Sequence, residues 1–216
     1  MELVIGNKNY SSWSLRGWLM LKGFDIAFTE IKLPLFTDTF AQQIGQYTDA
    51  KKVPALVDGD VQVWDSLAIC EYISETYLKG AGWPKNPCDR ALARAISCEM
   101  HSGFFSLRHE MPMNCRAKRA VKVGEQTLSE IARIDQMWKS CRAKATTGPW
   151  LFGEFSIADV MYAPVALRFA TYQPTISAES AEYVQTVLNH PAIKAWVADS
   201  FNEVEVIEAE EAGEPV

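Results

Sequence analysis

Apolar positions change their spacing roughly a third of the way along the chain. Before residue 79 they alternate in short runs or recur at helical intervals between turns; after residue 87 helical intervals dominate. Glu2–Gly6 reads as a short buried strand and Asn7–Ser12 as a polar turn. Across Trp13–Lys22, Leu15, Trp18, Leu19 and Leu21 keep helical spacing, and Gly23 sits where a C-cap glycine belongs. Ala27–Lys32 alternates as a second strand. Strand, helix and strand in about 30 residues is a βαβ unit with a right-handed crossover and parallel strands. Pro34–Asp38 is a loop, and Thr39–Gln46 a short helix carrying the Gln42-Gln43 pair.

The stretch Lys52–Tyr77 holds the densest local code. Val53–Val57 is an apolar run with Pro54 near its start, Asp58-Gly59-Asp60 is a hairpin turn, and Val61–Trp64 is a second strand. Asp65 and Ser66 then offer side-chain oxygens to the free N–H groups of a helix running to about Tyr77. Two polar features result. Pro54 leaves its neighbour's backbone groups open to a ligand, and the Asp65-Ser66 cap sets the positive end of a helix where a carboxylate could bind. A turn proline and an ordinary cap are the plainer alternatives.

The first 78 residues thus read β-α-β-α-β-β-α, a small mixed sheet flanked by helices. Lys79–Pro87, with two glycines and two prolines, reads as a linker. One long helix is expected over Cys88–Met111, ended by Pro112. A second is expected over Cys115–Lys144, with Val121, Leu128, Ile131, Ile134 and Trp138 in one stripe. Ser156 and Asp159 form a capping box for a helix to about Phe169. Further helices follow over Ala178–Leu188 and from His190-Pro191. The expected domains are residues 1–78 and 88–202, joined by 79–87 and followed by a tail, 203–216.

Charge sharpens the picture of that tail. Its six glutamates, with no basic residue among them, account for the whole formal charge of −6. The tail is therefore expected to be solvated and poorly ordered, and the remaining body has no electrostatic footprint for nucleic acid. No apolar run approaches the ~20 residues of a membrane span, and the N-terminus lacks a secretory pattern. Five cysteines without metal-ligand spacing suit free thiols in a reducing cytoplasm. His101 and His109, eight residues apart, do not form a metal pair.

A βαβαββα domain followed by an all-helical one resembles the cytosolic glutathione transferases. Four stretches carry the resemblance in order: NYSSWSLRGWL from Asn9, the Lys52–Ile73 turn and helix start, WLFGEFSIADVMY from Trp150, and HPAIKAW from His190. The resemblance implies an α/β plus all-α fold with a thioredoxin-like first domain, glutathione as co-substrate, no metal, and a homodimer. It implies a cis bond before Pro54, with the Val53 backbone pairing with the cysteinyl part of glutathione. Asp65 and Ser66 would hold its γ-glutamyl end, and Lys52 with Gln42 or Gln43 its glycyl end.

The resemblance also places the chemistry in NYSSWS, where a hydroxyl at the helix start would stabilise the thiolate. Counted back from Arg16, Ser12 aligns best, Ser11 next and Tyr10 third. SSxSxR resembles the zeta subgroup, which includes maleylacetoacetate isomerases, but Trp13 stands at its usual cysteine and Gly17-Trp18 at its Val-Arg. The absence of a cysteine between Asn7 and Trp18 argues against the subgroup that reduces mixed disulfides. Trp13, with His101, Phe104, Phe105 and Arg108 on one helix face, is expected to line an apolar second-substrate pocket, with plain core packing the alternative. The implied activity is conjugation of glutathione to small electrophiles; the alternatives are zeta-type isomerisation and a non-catalytic ligand-binding or scaffold role.

Overall fold

A computed structural model describes residues 1–216. The first 78 residues form β1 (Glu2–Ile5), α1 (Ser12–Gly23), β2 (Thr29–Lys32), α2 (Asp38–Gln43), β3 (Ala55–Asp58), β4 (Val61–Val63) and α3 (Ser66–Leu78). The sheet order is β2-β1-β3-β4, with β1 and β2 parallel and the other pairs antiparallel. Alternation along β1 divides the core. Leu3 and Ile5 face the main cluster, which includes Leu15, Leu19 and Ile69, whereas Val4 faces a smaller one with Leu33, Ile44 and Ala55. Gly59, at φ 59°, takes the left-handed turn conformation that the Asp58-Gly59 signal anticipates.

The helical remainder comprises α4 (Pro87–Ser102), α5 (Phe105–Glu110), α6 (Glu125–Lys144), α7 (Ile157–Tyr172), α8 (Ala178–Asn189) and α9 (Pro191–Ser200). Helix α7 is buried all round and packs against α1, α4 and α8. Its first turn is fixed by Asp159, whose carboxylate accepts the Ser156 N–H at 2.9 Å and the Ser156 hydroxyl at 3.0 Å. The Leu151 N–H at 3.1 Å and the Tyr183 hydroxyl at 3.0 Å complete its four donors.

Three expectations need correction. The long helix from Cys88 breaks at Gly103, which is extended, and Phe104, which is left-handed at φ 55°. A Cβ at Gly103 would lie 2.8 Å from the Glu99 carbonyl oxygen, so a side chain there would force the bend to shift. The next helix starts at Glu125 rather than Cys115: residues 119–120 form β5 instead, Val121 lies outside the helix, and Leu128 is 55% exposed.

The third correction concerns the acidic tail, which is folded onto the body. Glu203 is only 7% exposed, and its carboxylate accepts the backbone N–H groups of Lys8 at 2.7 Å and Asn9 at 3.0 Å. Lys32 approaches the same carboxylate at 3.3 Å. Farther on, Glu211 accepts from Tyr10 at 2.6 Å and Asn114 at 2.9 Å and pairs with Arg119, while β6 (Glu214–Pro215) zips antiparallel onto β5 (Arg119–Ala120). Opposite charges from distant parts of the body compensate the tail's own, so repulsion within it does not keep it loose. Within the segment 79–87, Trp83 is buried in the main core.

Candidate active site

Between the sheet and α4 lies a cavity of about 510 Å³ lined by Trp13, Lys52, Val53, Pro54, Trp64, Asp65, Ser66 and His101. The Val53–Pro54 peptide is cis, as the resemblance implies. Pro54 rests on Gly17, where a Cβ would come within 3.2 Å of the proline's own Cβ. Glycine at this position lets α1 approach the proline loop closely, which brings the start of α1 beside the cavity. Asp65 caps α3, accepting the Leu67 N–H at 3.1 Å through one oxygen, and its other oxygen meets His101 Nε2 at 2.7 Å. Ser66 is fully buried and its hydroxyl has no partner. As the first residue of α3 its N–H also has no intrahelical acceptor. An unpaired buried hydroxyl beside a free helix N–H suits a ligand carboxylate.

A second cavity, of about 240 Å³, shares Trp13 and is lined further by Tyr10, Ser11, Ser12, Leu35, Phe36, Arg108, Arg168, Ile207 and Glu210. The two serines differ sharply here. Ser11 is the N-cap of α1: its oxygen accepts the Ser14 N–H at 3.4 Å, and its proton goes to Ser14 Oγ at 2.7 Å. Ser14 Oγ in turn accepts the Gly6 N–H at 2.9 Å. Ser12 Oγ instead accepts from Arg168 Nη2 at 3.3 Å, and its own proton is uncommitted. Tyr10's hydroxyl is occupied by Glu211 and by Arg116 at 3.1 Å, and burial pushes its pKa up.

Three arginines surround this point. Arg16, fully buried, donates to the Met161 carbonyl at 2.9 Å and the Ser12 carbonyl at 3.0 Å. Arg168, also buried, donates to the Met111 carbonyl at 2.8 Å; burial and the nearby Arg108 bring its pKa down to about 10, still well above neutrality. Arg108 stacks on the Trp13 ring at 4.7 Å, and Arg16 lies over the same ring at 4.4 Å. No carboxylate lies within 4.0 Å of any of the three, since every arginine ion pair involves other residues. The start of α1 is therefore strongly electropositive, a field that favours an anion.

Not every anticipated residue reaches these cavities. Gln43 ends α2, exposed and outside both, and Gln42 is exposed beside it. Phe104 joins the main core, and Phe105 is 66% exposed with Arg108 over its ring at 5.2 Å. The break at Gly103 splits the expected face, so His101 reaches the first cavity and Arg108 the second. Arg168, Ile207 and Glu210 carry no signal in the sequence beyond one arginine in the apolar run of α7 and an acidic tail. No group of three potential metal ligands occurs, and no helix is long and apolar enough to cross a membrane.

Comparison with known proteins joins these observations. Residues 10–76 match the family described as glutathione S-transferase, N-terminal domain, and residues 121–199 match the glutathione S-transferase C-terminal domain. A maleylacetoacetate isomerase from Rattus norvegicus is 31% identical over 77% of this chain and 76% of its own length. Glutathione S-transferase Z1 of Arabidopsis thaliana is 30% identical over 73% and 74%. Among solved structures, a glutathione transferase homolog from Burkholderia, with bound glutathione, superposes with a TM-score of 0.70 at 19% identity, covering 94% of this chain and 98% of its own. Both halves of the fold match one family in sequence order, and this chain belongs to the glutathione S-transferases.

Proposed function

We propose that this protein activates the thiol of glutathione for attack on small electrophiles, with Ser12 as the thiolate's hydrogen-bond donor. The single observation that carries the assignment is the Ser12 hydroxyl, which accepts from buried Arg168 while its own proton stays free. Ser11 has the equivalent proton tied to Ser14. Glutathione would lie with its γ-glutamyl carboxylate on Ser66 and the α3 N-terminus, its ammonium near Asp65 and its cysteinyl backbone on Val53 beside Pro54. Lys52, which lines the same cavity, would meet the glycyl carboxylate. Trp13 lines both cavities, so the sulfur would reach Ser12 around its ring.

A thiol's reference pKa of about 8.5 leaves little thiolate at neutral pH, and a drop of about 2 units takes roughly 2.7 kcal/mol. One hydrogen bond to a charged acceptor, reinforced by the α1 N-terminus and the arginine field, supplies energy of that size. The proton leaves to solvent, the thiolate attacks the electrophilic carbon, and a leaving group departs or an addition product forms. Conjugation of glutathione to a chloro-nitroaromatic acceptor tests this reading: the wild-type protein should turn over, and Ser12→Ala should lose most of the rate.

A second reading, cis–trans isomerisation of a dienone carboxylate, is favoured by one feature, the presence of Arg108 and Arg168 in the serine cavity with no ion pair to either. There the thiolate would add to the double bond, permit rotation and be expelled unchanged. Turnover of maleylacetone distinguishes the two. The two-fold homodimer is also proposed, with exposed Val61 on β4 and Tyr77 on α3 in its apolar contact. A monomeric mass by light scattering would exclude it.

A further inference from the structure

The tail does more than cover the body: two of its side chains, Ile207 and Glu210, form one wall of the serine cavity. Its position is set on both sides of that wall. Upstream, Arg116 donates to the Glu203 carbonyl at 2.6 Å and to the Glu205 carbonyl at 3.1 Å. Downstream, Arg119 donates to the Gly213 carbonyl at 2.8 Å, and the Val216 N–H reaches the Lys118 carbonyl at 3.1 Å. Between these ties Glu210 faces the cavity half-buried, without an ion pair or side-chain hydrogen bond, while neighbouring Glu208 points to solvent. Burial raises the Glu210 pKa, with Arg168 and His109 opposing that rise.

The charged groups on the cavity wall are thus Arg108, Arg168 and Glu210, two cations and one anion. We propose that Glu210 is a specificity-determining residue, limiting the electrophile to one negative charge by offsetting one of the two guanidiniums. A neutral or singly anionic electrophile fits this balance. A dianion would set its second charge against the Glu210 carboxylate in a confined site, where like charges repel far more strongly than in water. The inference rests on the reading of the serine cavity as the electrophile's site.

The test compares kcat/KM at pH 7.5 for three electrophiles sharing one reactive centre and bearing zero, one and two carboxylates. Glu210→Gln keeps the shape of the side chain, and Glu208→Gln is the exposed control. Glu210→Gln should raise kcat/KM for the dianion about tenfold, from one removed like charge at close range, and change the neutral compound by less than about twofold. Glu208→Gln should leave all three within the same limit. An equal response to all three electrophiles, or none, overturns the role of Glu210. Ser12→Ala in the same assay separates the causes: if it is inactive, a flat Glu210→Gln response removes the tail's role alone. If it stays active, the serine cavity is not the site and the inference falls with it.

Discussion

Arg168 Nη2 donates to Ser12 Oγ at 3.3 Å, and no other group of the protein engages that hydroxyl. The guanidinium lies fully inside the protein, on a helix buried on every face. In the proposed mechanism this contact polarises the Ser12 hydroxyl, and Arg168 acts through Ser12 as a positioning residue.

Arg168→Lys should retain the positive charge but lose the planar fork that serves the Met111 carbonyl and Ser12 together. The expected result is a fall in kcat of about tenfold, one hydrogen bond's worth, with the KM for glutathione changed little. The pH profile of kcat should move to higher pH. A parallel loss in kcat and stability with no shift of the profile would mark a purely structural arginine.

Ser66→Ala gives two readouts of opposite character. The hydroxyl is buried and unpartnered in the free protein, so its removal should leave the unfolding free energy unchanged or raised by up to about 1 kcal/mol. Glutathione affinity by calorimetry should fall at least tenfold, the worth of a hydrogen bond to a charged group, about 1.5–3 kcal/mol. Destabilisation together with unchanged affinity would refute the γ-glutamyl assignment.

Asp159 supplies a pH signature of the fold. Burial outweighs its four hydrogen bonds and pushes its pKa up to about 6. The protonated form is thus favoured more in the folded chain than in the unfolded one. Its titration then contributes stability that is fully present below the unfolded value of about 3.9 and is lost as pH rises through about 6. Urea unfolding of the wild type minus Asp159→Asn should decline by roughly 2 kcal/mol from pH 4 to pH 7. A difference that grows with pH would show the carboxylate held ionised by its donors.

The parts of this molecule legible in its sequence are those encoded locally. Alternation along Glu2–Ile5, the Asp58-Gly59 turn and the Asp65 cap each act within a few residues, and the βαβαββα order follows from them. The break at Gly103 was masked because His101, Phe104, Phe105 and Arg108 keep helical spacing across it. The tail read as solvated because its partners are remote: Glu203 binds Lys8 and Asn9, and Glu211 binds Tyr10, Asn114 and Arg119. Complementarity over such separations leaves no local pattern. The difference between Ser11 and Ser12 is likewise invisible in one dimension, since it lies in which hydroxyl gives its proton to Ser14.

Titration of bound glutathione tests the central claim most directly. Thiolate absorbance in the ultraviolet, followed from pH 5 to pH 10 with saturating glutathione, should give an apparent pKa of about 6.5 for the wild-type complex. Ser12→Ala should return it towards about 8.5, while Ser11→Ala, which removes the α1 cap and costs about 1 kcal/mol of stability, should leave it near the wild-type value. Identical titrations for the wild type and Ser12→Ala, or a shift caused by Ser11→Ala alone, would contradict the account.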